Sequence, residues 1–344
     1  MKLAITGGAG FLGYHLANLL ASDFENIHII DIADINFSEY PQNIIYHRVD
    51  VRNLNALSPI FTDSQFVIHA ASALPLWKRK DIFEINVQGT RNVLQAAFKA
   101  GVDKVIYVSS TAVYGIPKVH PIYEDSPLVG VGPYGESKIV AEKVCLRYRK
   151  KGYFVPVLRP KTFIGTGRMG VFQILYDWVK DGKKIPIIGR GKNKYQLLEV
   201  EDLVTAIKMI LFSDDHKAND TFNVGAEEFG TVYQDLTALC RYAKTGARVM
   251  PTPSWLVKPA LFVFHVLGVS PLYKWVYGTA DKDSFVAIDK IKSVLGWEPR
   301  YSNAQALIRS YQWYLDNWDK LEETGITHRV AWSQGILGFF KKVL

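Results

Sequence analysis

Thr6-Gly7-Gly8-Ala9-Gly10-Phe11-Leu12-Gly13 constrains the fold of this chain more than any other stretch. It follows a short apolar run, Lys2–Thr6, and opens a helical pattern at Leu12, Leu16, Leu19 and Leu20. Gly7, Gly10 and Gly13 are spaced Gly-x-x-Gly-x-x-Gly. The three missing Cβ atoms permit a tight turn, close approach of the backbone to a pyrophosphate and close packing of helix on strand. The pyrophosphate would rest on the free N–H groups at the start of the helix. Any tight strand–helix turn also favours glycine, so the context decides. Asp31 ends a second buried strand, His28–Asp31, 24 positions after Gly7. A carboxylate there accepts hydrogen bonds from ribose hydroxyls and repels a 2′-phosphate, and Ile32, Ala33 and Asp34 bring no cation. The expected cofactor is NAD. Asp50, after a third strand, would bond the adenine amino group or cap the helix near Asn53–Leu57.

The first half continues to alternate. Ile45–Val49, Phe66–His69 and Val105–Val108 read as strands, as do Tyr153–Leu158 and Thr221–Val224, with helical patterns at Ile82–Lys99 and Tyr134–Lys150. This predicts an α/β fold, a Rossmann-type doubly wound parallel sheet. After Pro160, Gly- and Lys-rich loops (165–170, 189–194) and the apolar segment 251–278 read as a smaller interleaved substrate lobe. For a chain of 344 residues, the expected division is a NAD-binding domain over 1–160 plus about 196–225. A substrate lobe would occupy 161–195 and 226–330, and an amphipathic tail 331–344.

Composition narrows the class. The 48% hydrophobic and 22% charged residues fit a globular chain and not a disordered one. The formal charge of +8 favours anionic ligands, but no motif accompanies it, so no nucleic-acid partner is expected. Two cysteines, Cys145 and Cys240, exclude a disulfide framework, and scattered histidines give no metal site. The glycines interrupt what would otherwise resemble a signal peptide. The longest apolar candidate, 259–269, is too short to span a bilayer and contains His265. The expectation is a cytoplasmic protein.

The chemistry centres on Tyr134-Gly-Glu-Ser-Lys138. The i, i+4 spacing on a helix puts both side chains on one face. An ammonium beside a phenol stabilises the phenolate, lowers its pKa and makes it a usable proton relay. Tyr-x-x-x-Lys also arises as a surface pair; Ser109-Ser110, at the end of a predicted strand, points instead to a site. Ligands bind at carboxyl ends of parallel strands, where a hydroxyl would hold the oxygen that exchanges a proton with Tyr134.

With these residues in place, the chain resembles the extended short-chain dehydrogenase/reductase family. The matching segments are Thr6–Gly13, Asp31, Asp50-Val51, His69-Ala70-Ala71, Asn86–Thr90, Val108–Gly115, Tyr134–Lys138, Leu158-Arg159-Pro160 and Leu295–Pro299, in the family's order. The resemblance implies that Tyr134 is the acid/base, that Lys138 anchors the nicotinamide ribose and tunes Tyr134, and that Ser110 orients the substrate carbonyl or alcohol. It implies a cofactor set of Gly7, Gly10, Phe11, Leu12, Gly13, Asp31, Asp50, Val51, Ala70, Ala71, Asn86, Ser109, Tyr134, Lys138 and Pro160. Asn86 would hold the active-site helix through backbone contacts. The adenine role of Asp50 is favoured on the same ground, and a homodimer through helices such as Ile82–Lys99 and Tyr134–Lys150 is expected.

Departures from the family pattern address the substrate. Dehydratases place Asp-Glu after the catalytic hydroxyl; here the residues are Thr111-Ala112. Nucleotide-sugar members carry Asn where this chain has Thr162, and often an Arg-Asp-Phe that is missing before Val200. Arg159-Pro160, the apolar lobe and Leu74, Pro75, Leu76 and Trp77 resemble the steroid-dehydrogenase-like branch. The expectation is hydride transfer at a secondary alcohol or ketone of an apolar, sterol- or lipid-like substrate. The alternative is a UDP-sugar 4-epimerase using the same Ser110, Tyr134 and Lys138. Lys161, Arg168, Arg190, Lys192 and Lys194 would grip a diphosphate or simply be solvated. The candidate substrate residues are Leu74, Trp77, Ser110, Thr111, Lys161, Thr162 and Arg168. In the tail, Trp332, Ile336, Phe339, Phe340 and Val343 share one helical face. That face suits peripheral contact of 332–344 with the inner membrane face, or docking on the chain's own lobe or a partner subunit.

Overall fold

The computed structural model describes residues 1–75, 77–266, 274–320, 329 and 334–343, without the side chains of 265, 266, 274–276, 320, 336 and 343. Eleven strands occur among them: β1 (Lys2–Thr6), β2 (Asn26–Asp31), β3 (Ile44–Arg48), β4 (Phe66–His69), β5 (Lys104–Val108), β6 (Val157–Pro160), β7 (Thr162–Ile164), β8 (Lys184–Ile188), β9 (Leu197–Glu199), β10 (Thr221–Val224) and β11 (Arg248–Thr252). Seven form one sheet in the order β10-β6-β5-β4-β1-β2-β3, with every pairing parallel. A parallel sheet must be covered on both faces, and the strand residues alternate accordingly. Leu3, Ile5, Ile29 and Ile106 pack with the helices Phe11–Leu19 and Val200–Phe212. Ala4, Ile30, Val67 and Val105 pack with the helices Leu54–Thr62, Thr90–Lys99 and Gly132–Arg149. The strand order reverses between β1 and β4, which opens a crevice at their carboxyl ends.

Two predicted elements differ in extent. The regular strand expected from Tyr153 begins only at Val157. Pro156 has no N–H for the ladder, and upstream the segment serves β5 through carbonyls: Val105 N donates to Phe154 O (3.0 Å) and Tyr107 N to Pro156 O (2.9 Å). The continuous helix Ile82–Lys99 is instead a short helix Arg79–Phe83, a π-helical stretch Glu84–Gly89 and the helix Thr90–Lys99. Such π-turns interrupt helices often at functional sites, and this one carries Asn86.

Beyond the sheet, β8 pairs with β11 and β7 with β9 in two small parallel sheets. The helices Val171–Lys180, Val232–Ala243 and Asn303–Asn317 close round a separate core that includes Ile174, Tyr176, Trp178, Leu239, Tyr311 and Tyr314. The Leu295-Gly296-Trp297 motif ties this region to the sheet. Gly296 ends the helix Asp289–Leu295 at φ +65°, and the buried Trp297 donates from Nε1 to Asp202 O (3.0 Å).

The tail helix Ile336–Val343 docks on the chain's own lobe. Leu337 and Phe340 pack on its core, Phe340 lies 6.2 Å from the Phe264 ring, and Lys341 pairs with Asp177 and Asp181. Phe339 is exposed. Trp332 and the side chains of Ile336 and Val343 lie outside the described residues, as does Leu76. Among the described residues no helix is long and apolar enough to cross a membrane, and no group of three His, Cys, Asp or Glu side chains is placed to hold a metal.

Candidate active site

A cavity of about 930 Å³ opens at the strand-order reversal, lined by the sheet's carboxyl ends on one side and by the lobe on the other. The candidate catalytic, cofactor and substrate residues expected from the sequence line it except Asn86, which bonds to the wall residues Ser72 and Ala73; Arg190, Lys192 and Lys194, also considered for a diphosphate, do not line it.

The glycine loop is shaped by steric exclusion. Gly7 has φ +73° and its N–H donates to Ile30 O at 2.8 Å. A Cβ on Gly7 would stand 2.7 Å from Ala71 N, and one on Gly13 would stand 2.3 Å from Gly7 O. A Cβ on Gly10 meets only Gly7 O, at 3.1 Å, so the space at Gly10 is left for a ligand. Gly10 is also the N-cap of the helix Phe11–Leu19, and no side chain caps it. The first N–H groups of that helix thus fit a pyrophosphate.

Asp31 accepts from Ala9 N (3.0 Å), Ile32 N (2.7 Å) and Ala33 N (3.0 Å). A carboxylate has roughly four acceptor positions, so Asp31 keeps room for about one further bond, fewer than bidentate capture of two ribose hydroxyls requires. Burial holds its pKa above the ordinary range against those backbone bonds. Sequence reasoning also missed a cation: Arg48 is the cross-strand partner of Asp31, but its guanidinium pairs with Asp34 at 3.1 Å. Asp31→Ala is expected to weaken NAD about tenfold, the scale of a hydrogen bond to a charged group. It should also narrow the preference over NADP, because the carboxylate that repels a 2′-phosphate is gone while Arg48, its cross-strand partner, remains. Titration of both nucleotides checks this; an unchanged preference refutes it. Asp50 is clamped by Arg52 (Nη2 to Oδ2, 2.6 Å), and the cap of the helix Leu54–Thr62 is Asn53, not Asp50.

Ser110 has an extended backbone at the end of β5, where its Oγ accepts from Ala112 N (3.2 Å) and caps the 3₁₀ turn Thr111–Tyr114. Tyr134 sits in the first turn of the helix Gly132–Arg149, and the Ser72 and Ser110 hydroxyls, which favour its ionised form, line the same cavity. Lys138 is 2% exposed; its Nζ donates to Val108 O (3.0 Å) and lies 5.9 Å from the Tyr134 ring centroid. The expected lowering of the Tyr134 pKa does not hold here. Burial raises it and outweighs the two hydroxyls, while Lys138 is itself pushed down to about 8 by burial.

Asn86 accepts from Ala73 N (2.9 Å) and Ser72 Oγ (3.1 Å) and donates to Ser137 Oγ (2.9 Å), which in turn donates to Tyr134 O (2.7 Å). It reaches the active-site helix through a side chain rather than the expected backbone contact. Ser109 turns its hydroxyl away from the cavity onto Glu142 (2.5 Å), so only its backbone remains for a ligand. Glu142 is held by Arg159 (Nη2 to Oε2, 2.6 Å), and Arg159 Nη1 also donates to Tyr114 Oη and Glu124 O, both at 2.8 Å. This buried network fixes β5, β6 and the helix Gly132–Arg149 beneath Ser110 and Tyr134.

At the lobe end the wall is mixed. Leu74, Pro75 and Trp77 are apolar, and Trp77 also packs on the core. Opposite them stand Lys161, Thr162 and Arg168, joined by Tyr195 and Ser284, which sequence reasoning missed because their segments meet only in three dimensions. The cavity's only carboxylates among the described residues are Asp31 and Asp50, both on the glycine-loop side. Thr111 and Ala112 thus leave the reacting end without a carboxylic acid or base.

A model of a family described as NAD dependent epimerase/dehydratase matches residues 3–225. The chain is 33% identical to the uncharacterized protein y4nG of Sinorhizobium fredii, over 99% of this chain and 85% of the relative. It is 26% identical to a UDP-glucose 4-epimerase of Lactobacillus helveticus, over 91% of this chain and 97% of that one. Its fold matches the crystal structure of a UDP-glucose 4-epimerase with UDP-glucose from Thermotoga maritima at TM-score 0.77, with 22% identity over 92% of this chain and all of that one.

Proposed function

We propose that this chain, which belongs to the NAD dependent epimerase/dehydratase family of extended short-chain dehydrogenase/reductase enzymes, inverts the configuration of a secondary alcohol on a nucleotide-sugar. The observation that carries this reading is the cavity itself. It joins Ser110, Tyr134 and Lys138 to a polar, cationic wall at Lys161, Thr162 and Arg168, without a carboxylate at that end. A sterol-like substrate would leave the buried Lys161 amine without a counter-charge, whereas a nucleotide diphosphate sugar supplies one. Elimination of water would need an acid and a base where Thr111 and Ala112 stand. The similarity to UDP-glucose 4-epimerases along nearly the whole chain supports the same choice.

NAD, when bound, supplies the hydride acceptor and donor. The helix start at Gly10–Gly13 would hold its pyrophosphate, Asp31 a ribose hydroxyl and Lys138 the nicotinamide ribose. Ser110 would hold the substrate oxygen while Tyr134 removes its proton and later returns it. Ser72, a neighbour of the phenol that sequence reasoning did not find, would orient the Tyr134 hydroxyl. Epimerisation then requires that the keto sugar turn over in the cavity before hydride returns to its other face. On this reading residues 1–160 with about 196–225 bind the cofactor, and 161–195 with 226–330 bind the sugar nucleotide.

The test is the fate of the cofactor. Purified enzyme given a panel of UDP-hexoses should interconvert C4 epimers, followed by proton NMR, with no net change in absorbance at the NADH band. Steady NADH accumulation on an apolar secondary alcohol, with no UDP-sugar turned over, would replace this reading by that of a net dehydrogenase.

A further inference from the structure

The lobe helix Ser254–Val266 carries its apolar side outward. At spacings i, i+3, i+4 and i+7, Ser254, Val257, Lys258 and Leu261 form its inner face; Leu261 is buried and the others are half-buried. The opposite face consists of Trp255, Leu256, Pro259, Ala260, Phe262 and Val263, and every one of them is exposed. Trp255 is 78% exposed, and Leu256, Phe262 and Val263 are each about half exposed. A surface helix ordinarily turns its polar residues to water, and a continuous apolar face marks a contact. Lys258 is on the inner face, where its Nζ donates to Asp281 Oδ1 (2.6 Å) and Gly278 O (3.2 Å). The docked tail extends the apolar patch: Phe340 lies 6.2 Å from the Phe264 ring, and its neighbour Phe339 is exposed.

Charge follows the same pattern. No Asp or Glu occurs from Leu236 to Ala280, a stretch with Arg241, Lys244, Arg248, Lys258 and Lys274. None occurs from Thr324 to Leu344, which holds Arg329, Lys341 and Lys342. The loop 189–194 meets the start of the helix. Gly189 N donates to Thr252 O (2.8 Å), two residues before Ser254, and Arg190 and Lys192 are exposed. Of the acids at this corner, Asp281 is paired with Lys258, and Asp283 accepts from Lys194 N (2.7 Å). Lys342, three positions after Phe339, is exposed as well.

The apolar strip is about 20 Å long and about 10 Å wide. It offers on the order of 200 Å², whereas a stable protein interface takes roughly 800 Å² from each partner. A helix of 13 residues is too short to cross a bilayer. Exposed rings and aliphatic side chains flanked by cations, with acids kept away, match an anionic lipid surface: the rings enter the acyl boundary and the cations meet the headgroups. We propose that the helix Ser254–Val266 docks the enzyme on the surface of an anionic lipid bilayer, with Phe339 entering beside it and Arg190, Lys192 and Lys342 at the headgroups. The contact belongs to a lobe helix and not to the tail alone, and it is independent of the substrate the cavity takes.

The test is flotation of the full-length protein with vesicles of phosphatidylcholine alone and of phosphatidylcholine mixed with phosphatidylglycerol. The wild type should bind the anionic vesicles, release as salt is raised, and bind the neutral ones about tenfold more weakly. Trp255→Ser combined with Phe262→Ser should lower binding about a hundredfold, on the order of tenfold for each apolar side chain kept in water. Both side chains are exposed, so the melting temperature should stay unchanged. Arg190→Ser combined with Lys192→Ser should weaken binding to the anionic vesicles about tenfold. Absence of binding to the anionic vesicles overturns the proposal, and so does binding that survives the loss of Trp255 and Phe262. Equal binding to both kinds of vesicle overturns it too. A protein that ignores vesicles, elutes as a dimer and becomes a monomer in the Trp255→Ser, Phe262→Ser variant would assign the face to a second copy of the chain instead.

Discussion

Tyr134→Phe is expected to lower turnover by about a thousandfold, within the range for loss of a positioned acid/base, while NAD affinity changes by less than about twofold. The substitution removes one oxygen and leaves the ring in place. The groups suited to hold NAD are elsewhere: the helix start at Gly10, Asp31 and the Lys138 amine on Val108 O. Rate and affinity should therefore separate. Cofactor binding by fluorescence titration and turnover under saturating substrate measure the two. A variant that loses NAD in proportion to rate would show that Tyr134 acts by building the cofactor site. Because burial raises the phenol's pKa, the wild-type rate should climb as pH rises toward ionisation of Tyr134. That alkaline limb should be absent from any residual Tyr134→Phe activity.

Glu142→Leu is expected to be the most destabilising single change, by about 3–5 kcal/mol. It strips a buried guanidinium of its carboxylate: Arg159 and Glu142 have side chains only 6% and 3% exposed, and the Ser109 hydroxyl loses its acceptor as well. In a chain of this size the melting temperature should fall on the order of 10 °C. Adding Arg159→Met should recover most of the loss, since two apolar side chains remove the uncompensated charge. A double variant no more stable than the single one would mean that packing, and not charge, was lost. Melting curves of the three proteins decide between these outcomes.

How far the site was readable depended on how local its causes are. The glycine loop was legible because its demands are met within a few residues: Gly13 is excluded from bearing a Cβ by Gly7 O and Gly8 Cα. Tyr134 and Lys138 were legible because four helical positions bring them to one face. Their ionisation was not, because it follows from how deeply the finished fold buries each one. The contact of Asn86 with Ser137 spans 51 positions and that of Arg159 with Tyr114 spans 45. Each of these residues stood in a recognisable motif, but nothing in the motifs names the partner.

The sequence by itself determined the doubly wound sheet and singled out the glycine loop for NAD and Ser110, Tyr134 and Lys138 as the candidate catalytic set. Short apolar runs, glycine spacing and helical periodicity are short-range properties of a chain. Only the tertiary structure decided what the cavity's far wall is made of. Lys161, Tyr195 and Ser284 come from three separate segments, and Lys161 reaches Ser284 across 123 positions. A lysine in a loop is ordinarily solvated. Burial without a carboxylate partner among the described residues is what marks this one out, and burial exists only once the lobe has closed over the sheet.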